Sequence, residues 1–277
     1  MSQIAHTADQ AELEEIDTRL FNTSVRKAMD LLASFNGGPA EQTISQLTKA
    51  TGADRSSVQR ATYTLFKMGY LNCDPATRRY RVSEKMMDMS FAFLRADRMV
   101  EAALAPLAML SERTGESVHL SRMSDFDIIY LLRWPLGMQQ HFASLPGRRL
   151  PAYCTSGGRA MLSLWQPEAA RAFIEASDRV ARTDKTITDL EQIIALIDVA
   201  RKTGVARSDG ECLMGEVALS APIHFDGDQT GGAAVHVTLP EGKYSDAELE
   251  DKIIPLSRWQ RILLAIPCKS NSVVDHG

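Results

Sequence analysis

The hydrophobic and polar positions in the first third of the chain predict three helices. Apolar residues recur every three or four positions across 24–36, which predicts a helix with one buried face. Thr43 is placed to cap a second, short helix, and Asp54 to cap a third that extends to about Met68. Gly52 lies between the last two helices, where a tight turn needs a positive φ angle. Two short helices joined by such a turn are typical of a helix–turn–helix.

A short hairpin and a long helix are predicted next. Strands over 70–73 and 79–82 flank a turn that contains Asp, Pro and Thr. Helical periodicity then runs from 84 to 113 without a glycine, and a straight helix of that length would measure about 45 Å. Such a helix is long for one domain, so we expect it to connect two.

The second half of the chain predicts a mixture of short strands and helices. Alternation of apolar and polar residues indicates strands, and a period of three to four residues indicates helices. The predicted strands are 117–123, 128–133, 217–225 and 232–239, and the predicted helices are 158–164, 168–175, 190–202 and 246–264. The fold class is therefore α+β: an N-terminal winged helix–turn–helix, a long linker helix, and a C-terminal α+β domain with a mainly antiparallel sheet.

The composition agrees with a globular protein of two domains. The 277 residues are 44% hydrophobic and 24% charged, which excludes collagen-like and disordered chains. No stretch approaches the ~20 apolar residues of a membrane span, and the N-terminus lacks the apolar core of a signal peptide. We therefore expect a cytoplasmic protein with no membrane partner. The expected segments are a flexible acidic tail (1–22), the head (23–83), the linker helix (84–113) and the C-terminal domain (98–270).

Charge is distributed unevenly, although the net charge is only −4. Residues 1–23 hold one basic and five acidic side chains, residues 24–83 hold nine and four, and the remainder holds 21 and 26. A head of net charge +5 thus lies between two acidic segments. This asymmetry is typical of a nucleic-acid-binding head attached to another domain.

The third helix and the hairpin carry side chains suited to double-stranded DNA. Arginine and glutamine at the start of a recognition helix can hydrogen-bond base edges in the major groove. Serines at a helix start can meet phosphates, and a basic hairpin can lie along the backbone or in a minor groove. The predicted DNA-binding residues are Arg26, Thr43, Arg55, Ser56, Ser57, Gln59, Arg60, Tyr63, Arg78, Arg79 and Arg81. A solvated basic surface is the alternative.

Segments of the head and of the second half resemble one family in order and spacing. They are 24–32 (SVRKAMDLL), 55–60 (RSSVQR), 115–120 (GESVHL), 149–162 (RLPAYCTSGGRAML) and 211–215 (ECLMG). The set resembles the IclR transcriptional regulators over about residues 20–268. The resemblance implies a bacterial regulator, a repressor or an activator, that binds a palindromic operator as a homodimer or homotetramer, and of the two we expect a repressor. It also implies a small organic acid as effector, and the segment RLPAYCTS is similar to members that respond to aromatic acids.

The resemblance places the effector site at the loop that enters the first helix of the C-terminal domain after the linker. Free amides and partial positive charge at a helix start suit a carboxylate, and glycines permit close approach. The predicted effector-binding residues are Cys154, Ser156, Gly157, Gly158, Ser208, Ala218, Ser220, His236 and His119. A plain capped loop and core histidines are the alternatives. Members that respond to aromatic acids usually carry a bulkier residue where Gly158 stands.

Other chemistries find little support in the sequence. The four cysteines lie more than fifty residues apart, so we expect buried small side chains rather than disulfides or zinc ligands. No metal-binding spacing, cofactor motif or nucleophile elbow occurs, so we expect no metal and no cofactor. Cys154 or Ser156 beside a histidine can imitate a nucleophile and base, but we expect no enzyme. A metabolic-sensor or catalytic domain with a non-specific head is the second hypothesis.

Overall fold

A computed structural model describes residues 17, 19–134, 145–223 and 232–249. The chain divides into two units, one ending at Ala96 and the other beginning at Asp97. The predicted acidic tail lies almost wholly outside the described residues, as does the predicted helix 246–264 beyond its first turn. In the described ranges, no helix is both long enough and apolar enough to cross a membrane.

The first unit, in its described part, has four helices and a two-stranded antiparallel sheet. The helices are α1 (Thr23–Gly37), α2 (Ile44–Thr51), α3 (Arg55–Lys67) and α4 (Met86–Ala96), and the strands are β1 (Leu71–Cys73) and β2 (Tyr80–Val82). Its core contains Leu31, Leu47, Val58, Leu65 and Leu71. The predicted winged helix–turn–helix is confirmed, with β1 and β2 as the wing.

Capping side chains set the boundaries of the helix–turn–helix. Thr43 caps α2 in a reciprocal arrangement, because its own backbone N–H donates to the side chain of Gln46 at 2.9 Å. Gly52 ends α2 with a φ of 67°, a left-handed conformation that glycine adopts without strain. The Asp54 carboxylate accepts from the Ser57 N–H at 2.8 Å, which begins α3. The three predicted positions are confirmed.

The second unit packs helices on a six-stranded sheet. Its described helices are α5 (Arg98–Thr114), α6 (Ser156–Leu162), α7 (Pro167–Ala176) and α8 (Leu190–Thr203), with a 3-10 turn (Ala152–Cys154) before α6. The strands are β3 (Ser117–Ser124), β4 (Asp127–Trp134), β5 (Arg149–Pro151), β6 (Ala206–Asp209), β7 (Glu216–Ile223) and β8 (Ala233–Pro240). Their order is β5-β4-β3-β8-β7-β6, and every pairing is antiparallel. A core of side chains from the sheet and α6–α8 lies on one face, as the predicted α+β class requires.

The prediction of one continuous helix over 84–113 is wrong, because α4 and α5 are separate helices. Asp97 lies between them with an extended backbone (φ −85°, ψ 107°), and its carboxylate accepts from the N–H groups of Met99 and Val100. Asp97 is thus the N-cap of α5, and its capping outweighs the continuous apolar period. Its other carboxylate oxygen pairs with Arg122 of β3 at 2.9 Å.

Candidate functional site

Helix α3 has an exposed face opposite its buried stripe. The stripe consists of Val58, Thr62 and Leu65. The exposed side chains are Arg55, Ser56, Gln59, Arg60 and Tyr63. Five of the six candidates on α3 therefore reach solvent, whereas Ser57 is half-buried.

The exposed arginines of α3 and the wing carry charge that is not neutralised within the protein. No carboxylate pairs, in the described part of the chain, with Arg55, Arg60, Arg78 or Arg81. Two other candidates do have partners: Arg26 pairs with Asp30 at 3.4 Å, and Arg79 donates to the carbonyl of Glu41 at 3.3 Å. The unpaired charge is what phosphates can neutralise.

Two candidates, Thr43 and Ser57, are used inside the head. The Thr43 hydroxyl belongs to the cap of α2. The Ser57 N–H already donates to Asp54, so it is not free for a phosphate, in contrast to the prediction. Lys27 of α1, which the sequence analysis missed, donates to the Ser57 hydroxyl at 2.9 Å and to Asp54 at 3.3 Å. The hydrogen bonds from Ser57 and then Lys27 hold the pKa of Asp54 well below its usual value.

A small cavity lies between the start of α6 and the sheet of the second unit. Its volume is about 20 Å³, which leaves room for about one water. The lining residues are Tyr130, Leu150, Thr155, Ser156, Ser208, Glu211, Cys212, Leu213, Glu216, Ala218 and His236. Four predicted residues are thus brought together: Ser156, Ser208, Ala218 and His236.

A row of buried hydrogen bonds crosses the sheet behind this cavity. The hydroxyls of Ser156 and Ser220 are 2.6 Å apart, and Ser220 Oγ lies 3.0 Å from Nδ1 of His236. The other ring nitrogen of His236 lies 2.6 Å from Oγ of Ser121. Burial lowers the pKa of His236 to about 3, so its ring is neutral near pH 7. The two serines use both ring nitrogens of His236, one as a donor and one as an acceptor, and so fix the orientation of the imidazole.

His119 supports this row and is not among the lining residues, contrary to its predicted role. It is the register partner of His236, and its Nε2 lies 3.0 Å from Oγ of Thr238. Burial lowers its pKa to about 3, and Nδ1 has no hydrogen-bond partner among the described residues. Ser121 and Thr238, which the sequence analysis missed, each lie two residues from a histidine, where a strand returns to the same face.

The backbone of Gly157 and Gly158 is in close contact with its surroundings, and neither glycine lines the cavity. A Cβ on Gly157 would lie 1.9 Å from the ring of His236. A Cβ on Gly158 would lie 2.1 Å from the carbonyl oxygen of Ala152, so the bulkier residue of similar proteins does not fit this backbone.

Cys212 forms part of the cavity wall, whereas Cys154 is not among the lining residues. The two sulfur atoms are 2.9 Å apart. The expectation of a free, buried side chain is confirmed for Cys154, whereas Cys212 is free but only half-buried. Their separation of 58 residues gave no local motif from which the contact could be predicted.

Two glutamates at the cavity are in different electrostatic surroundings. Glu211 is buried and accepts from both terminal nitrogens of Arg159 at 2.6 Å. Burial raises the pKa of Glu216 to about 7, an effect that Arg148 and Arg133 oppose. None of the described lining residues is a lysine or an arginine. The cavity is therefore lined by hydroxyls, by a neutral imidazole whose two nitrogens both contact serines, and by one carboxyl group whose pKa lies near neutrality.

The winged helix head and the antiparallel α+β domain together define a regulator that binds DNA. A family model for the IclR helix–turn–helix domain matches residues 24–75, and one for the bacterial transcriptional regulator IclR C-terminal domain matches residues 91–261. The chain belongs to the IclR family of bacterial transcriptional regulators.

Individual relatives agree with this assignment. The Pca regulon regulatory protein of Pseudomonas putida is 29% identical over 85% of this chain and 80% of its own length. The p-hydroxybenzoate hydroxylase transcriptional activator of Acinetobacter baylyi is 24% identical over 88% and 91%. An IclR transcriptional regulator from Alicyclobacillus acidocaldarius shares the fold, with a TM-score of 0.76 and 22% identity over 89% and 99%. The two curated relatives are transcriptional regulators rather than enzymes, in agreement with the class that was predicted.

Proposed function

We propose that the protein is a repressor that binds a palindromic operator as a homodimer or homotetramer and responds to a small aromatic acid. Its place of action is the cytoplasm, where operator DNA lies. The unpaired arginines of α3 and the wing support operator binding. The cavity beside α6 supports the response to a small acid. A promoter fusion tests the sign of control: expression that rises when the gene is deleted supports a repressor, and expression that falls contradicts it.

The DNA-binding roles follow from position on the head. Exposed side chains of a recognition helix reach base edges, where arginine recognises guanine and glutamine recognises adenine. Arg55, Gln59 and Arg60 have these roles. Wing arginines lie outside that helix and neutralise phosphates, a role we assign to Arg78 and Arg81. A palindromic operator then matches the two-fold symmetry of a dimer.

Base readout and phosphate binding are separated by two variants. Arg60→Ala is expected to cost about 1–3 kcal/mol of binding on the operator and little on a scrambled duplex. Arg78→Ala is expected to weaken both duplexes alike and to reduce the salt slope by about one. Fluorescence anisotropy at several salt concentrations, with DNA that flanks the gene, measures both. Equal losses on the two duplexes for Arg60→Ala would contradict the assignment.

An aromatic acid suits the cavity in its chemistry but requires a wider opening than the structure shows. Tyr130 and Leu150 offer apolar surface to a ring, and the Ser156 hydroxyl can donate to a carboxylate while it accepts from Ser220. Because there is room for only about one water, binding must displace part of the wall. The relative from Acinetobacter, named for a hydroxylase of p-hydroxybenzoate, supports this class of ligand.

Glu216 makes the affinity for an acid depend on pH. Its pKa is raised to about 7, so the group is largely neutral at pH 6 and largely ionised at pH 8. An ionised Glu216 repels a ligand carboxylate, and affinity is expected to fall about tenfold between these pH values. Titration calorimetry with hydroxybenzoates measures the change, and Glu216→Gln is expected to abolish it. Affinity that rises with pH in the unmodified protein would contradict an acidic ligand at this position.

Strand β3, which supplies Ser121 to the buried row, also contacts the first residue of the second unit. Ser121 bonds to His236, and the next residue, Arg122, pairs with Asp97 directly after the first unit ends. We infer that the effector acts on the operator through this pair. Arg122→Gln is expected to retain effector affinity while the effector no longer changes operator affinity. Arg149→Gln, which removes an exposed pair with Asp125, is the control and should leave the response intact.

A further inference from the structure

Two thiols from distant parts of the sequence meet at the wall of the cavity. Cys154 ends the 3-10 turn before α6 and is fully buried, whereas Cys212 lies in the turn between β6 and β7 and is half-buried. Their sulfur atoms are 2.9 Å apart. A disulfide has a sulfur–sulfur bond of about 2.0 Å, so a movement of about 0.9 Å would join them.

The buried guanidinium of Arg159 fixes the distance between the two thiols. Arg159 donates through Nε to the carbonyl of Tyr153, the residue before Cys154, at 3.0 Å. Its two terminal nitrogens donate to Glu211, the residue before Cys212. A single rigid group therefore holds the chain immediately ahead of both cysteines. The hydrogen bond from Cys212 also lowers the pKa of the Cys154 thiol and raises the pKa of Cys212, so Cys154 is the thiol of the pair that more readily becomes a thiolate.

We propose that Cys154 and Cys212 form an oxidisable dithiol, which a hydroperoxide converts into a disulfide across the wall of the cavity. A thiolate of the pair attacks a peroxide oxygen, the O–O bond breaks, the cysteine becomes a sulfenic acid, and the leaving alkoxide is protonated and released as an alcohol (water, for hydrogen peroxide). The second thiol then attacks the sulfenyl sulfur, the S–O bond breaks and water leaves. Two thiols are oxidised and one hydroperoxide is reduced. Cys212 gives the reagent access, because it belongs to the cavity wall.

The bond has a consequence for the ligand, and this step rests on the proposed function. An aromatic acid requires the wall to move outward, whereas the disulfide ties Cys212 to the segment before α6. The oxidised protein is therefore expected to bind the acid at least tenfold more weakly than the reduced protein. Oxidation by peroxide and binding of the acid would therefore act on the same cavity.

The bond itself is tested by peptide mapping of the full chain. Reduced protein is treated with a small excess of hydrogen peroxide, remaining thiols are alkylated, and non-reduced peptides are analysed by mass spectrometry. We expect a peptide pair linked through Cys154 and Cys212 that dithiothreitol separates. Cys73→Ser, in the wing, is the control and should retain the link, whereas Cys212→Ser should lose it and leave Cys154 open to alkylation. Overoxidation without a link, a link to Cys268, or two unreacted thiols would overturn the proposal.

The effect on the ligand is measured separately, so that the two proposals can fail independently. Calorimetry with a hydroxybenzoate compares reduced, oxidised and re-reduced protein. Weaker binding only in the oxidised form, and only when Cys212 is present, supports the coupling. A link that forms without a change in affinity overturns the coupling. Reduced protein that binds no aromatic acid overturns the proposed effector, while the peptide map still decides the fate of the thiol pair.

Discussion

Replacing Arg159 by leucine removes one half of a fully buried ion pair. The guanidinium donates to both carboxylate oxygens of Glu211 at 2.6 Å, and the two side chains are only 1% and 5% exposed. The change leaves the buried Glu211 carboxylate without its counter-charge and with the Ile187 N–H, at 3.3 Å, as a remaining donor, and it also removes the bond to Tyr153. Losing one partner of a buried pair costs about 3–5 kcal/mol of unfolding free energy. In a domain of this size, that lowers the melting temperature by roughly 6–20 °C.

A second arginine provides a matched control with the same geometry at the surface. Arg171 donates to the two carboxylate oxygens of Glu191 at 2.8 and 2.7 Å, but these side chains are 39% and 70% exposed. Exposed pairs contribute about 0–1 kcal/mol, so Arg171→Leu is expected to be nearly neutral. Urea and thermal unfolding followed by tryptophan fluorescence measure both variants, because all three tryptophans follow Asp97 in the sequence.

Equal costs for Arg159→Leu and Arg171→Leu would refute the reasoning, since burial would then not govern the contribution of the pair. A double variant, Arg159→Leu with Glu211→Leu, identifies the source of the loss. It leaves no unpaired charge and is expected to be more stable than Arg159→Leu alone. A double variant that is less stable than the single one would assign the loss to the missing hydrogen bonds rather than to the charge.

Two further predictions concern the second unit. Gly158→Ala is expected to lower the free energy of unfolding by about 1–3 kcal/mol or more, because its Cβ would lie 2.1 Å from a backbone oxygen. Gly37→Ala is the control and should be nearly neutral, because a Cβ there meets open space. Thermal unfolding compares the two variants, and equal effects would contradict the packing argument. His119 and His236 have pKa values lowered to about 3, so the unfolded state binds protons first and stability should fall as the pH drops from about 6.5. Below about pH 6.5, each histidine lowers the free energy of unfolding by roughly 1.4 kcal/mol for every pH unit. Glu216 has a raised pKa and acts in the opposite direction between about pH 4.5 and 7, so it offsets the effect of about one histidine there. Urea titrations at several pH values test this, and a His119→Gln variant with an unchanged slope would contradict it.

Much of the fold follows from signals that lie within a few residues of each element. Thr43 and Asp54 are polar caps directly before helices, and Gly52 supplies the one conformation that the turn needs. Asp97 carried the same kind of signal, but the apolar period that continues across it concealed the break between α4 and α5. Strands β5 and β6 were not predicted because three or four residues are too few to show alternation. They exist because β4 and β7 offer them hydrogen bonds, and that is a property of the folded sheet.

The candidate site is less accessible to prediction, because it is assembled from segments that are far apart in the sequence. The resemblance indicated Ser156 and His236, and strand period extends this to Ser121, but no local pattern joins Cys154 to Cys212. The sequence does contain one indirect sign of that contact. Arg159 is a charged residue in a short helix of small and apolar residues, and an arginine buried there requires an acidic partner. Finding Glu211 as that partner also brings the two cysteines together, since each is the neighbour of a residue that Arg159 holds.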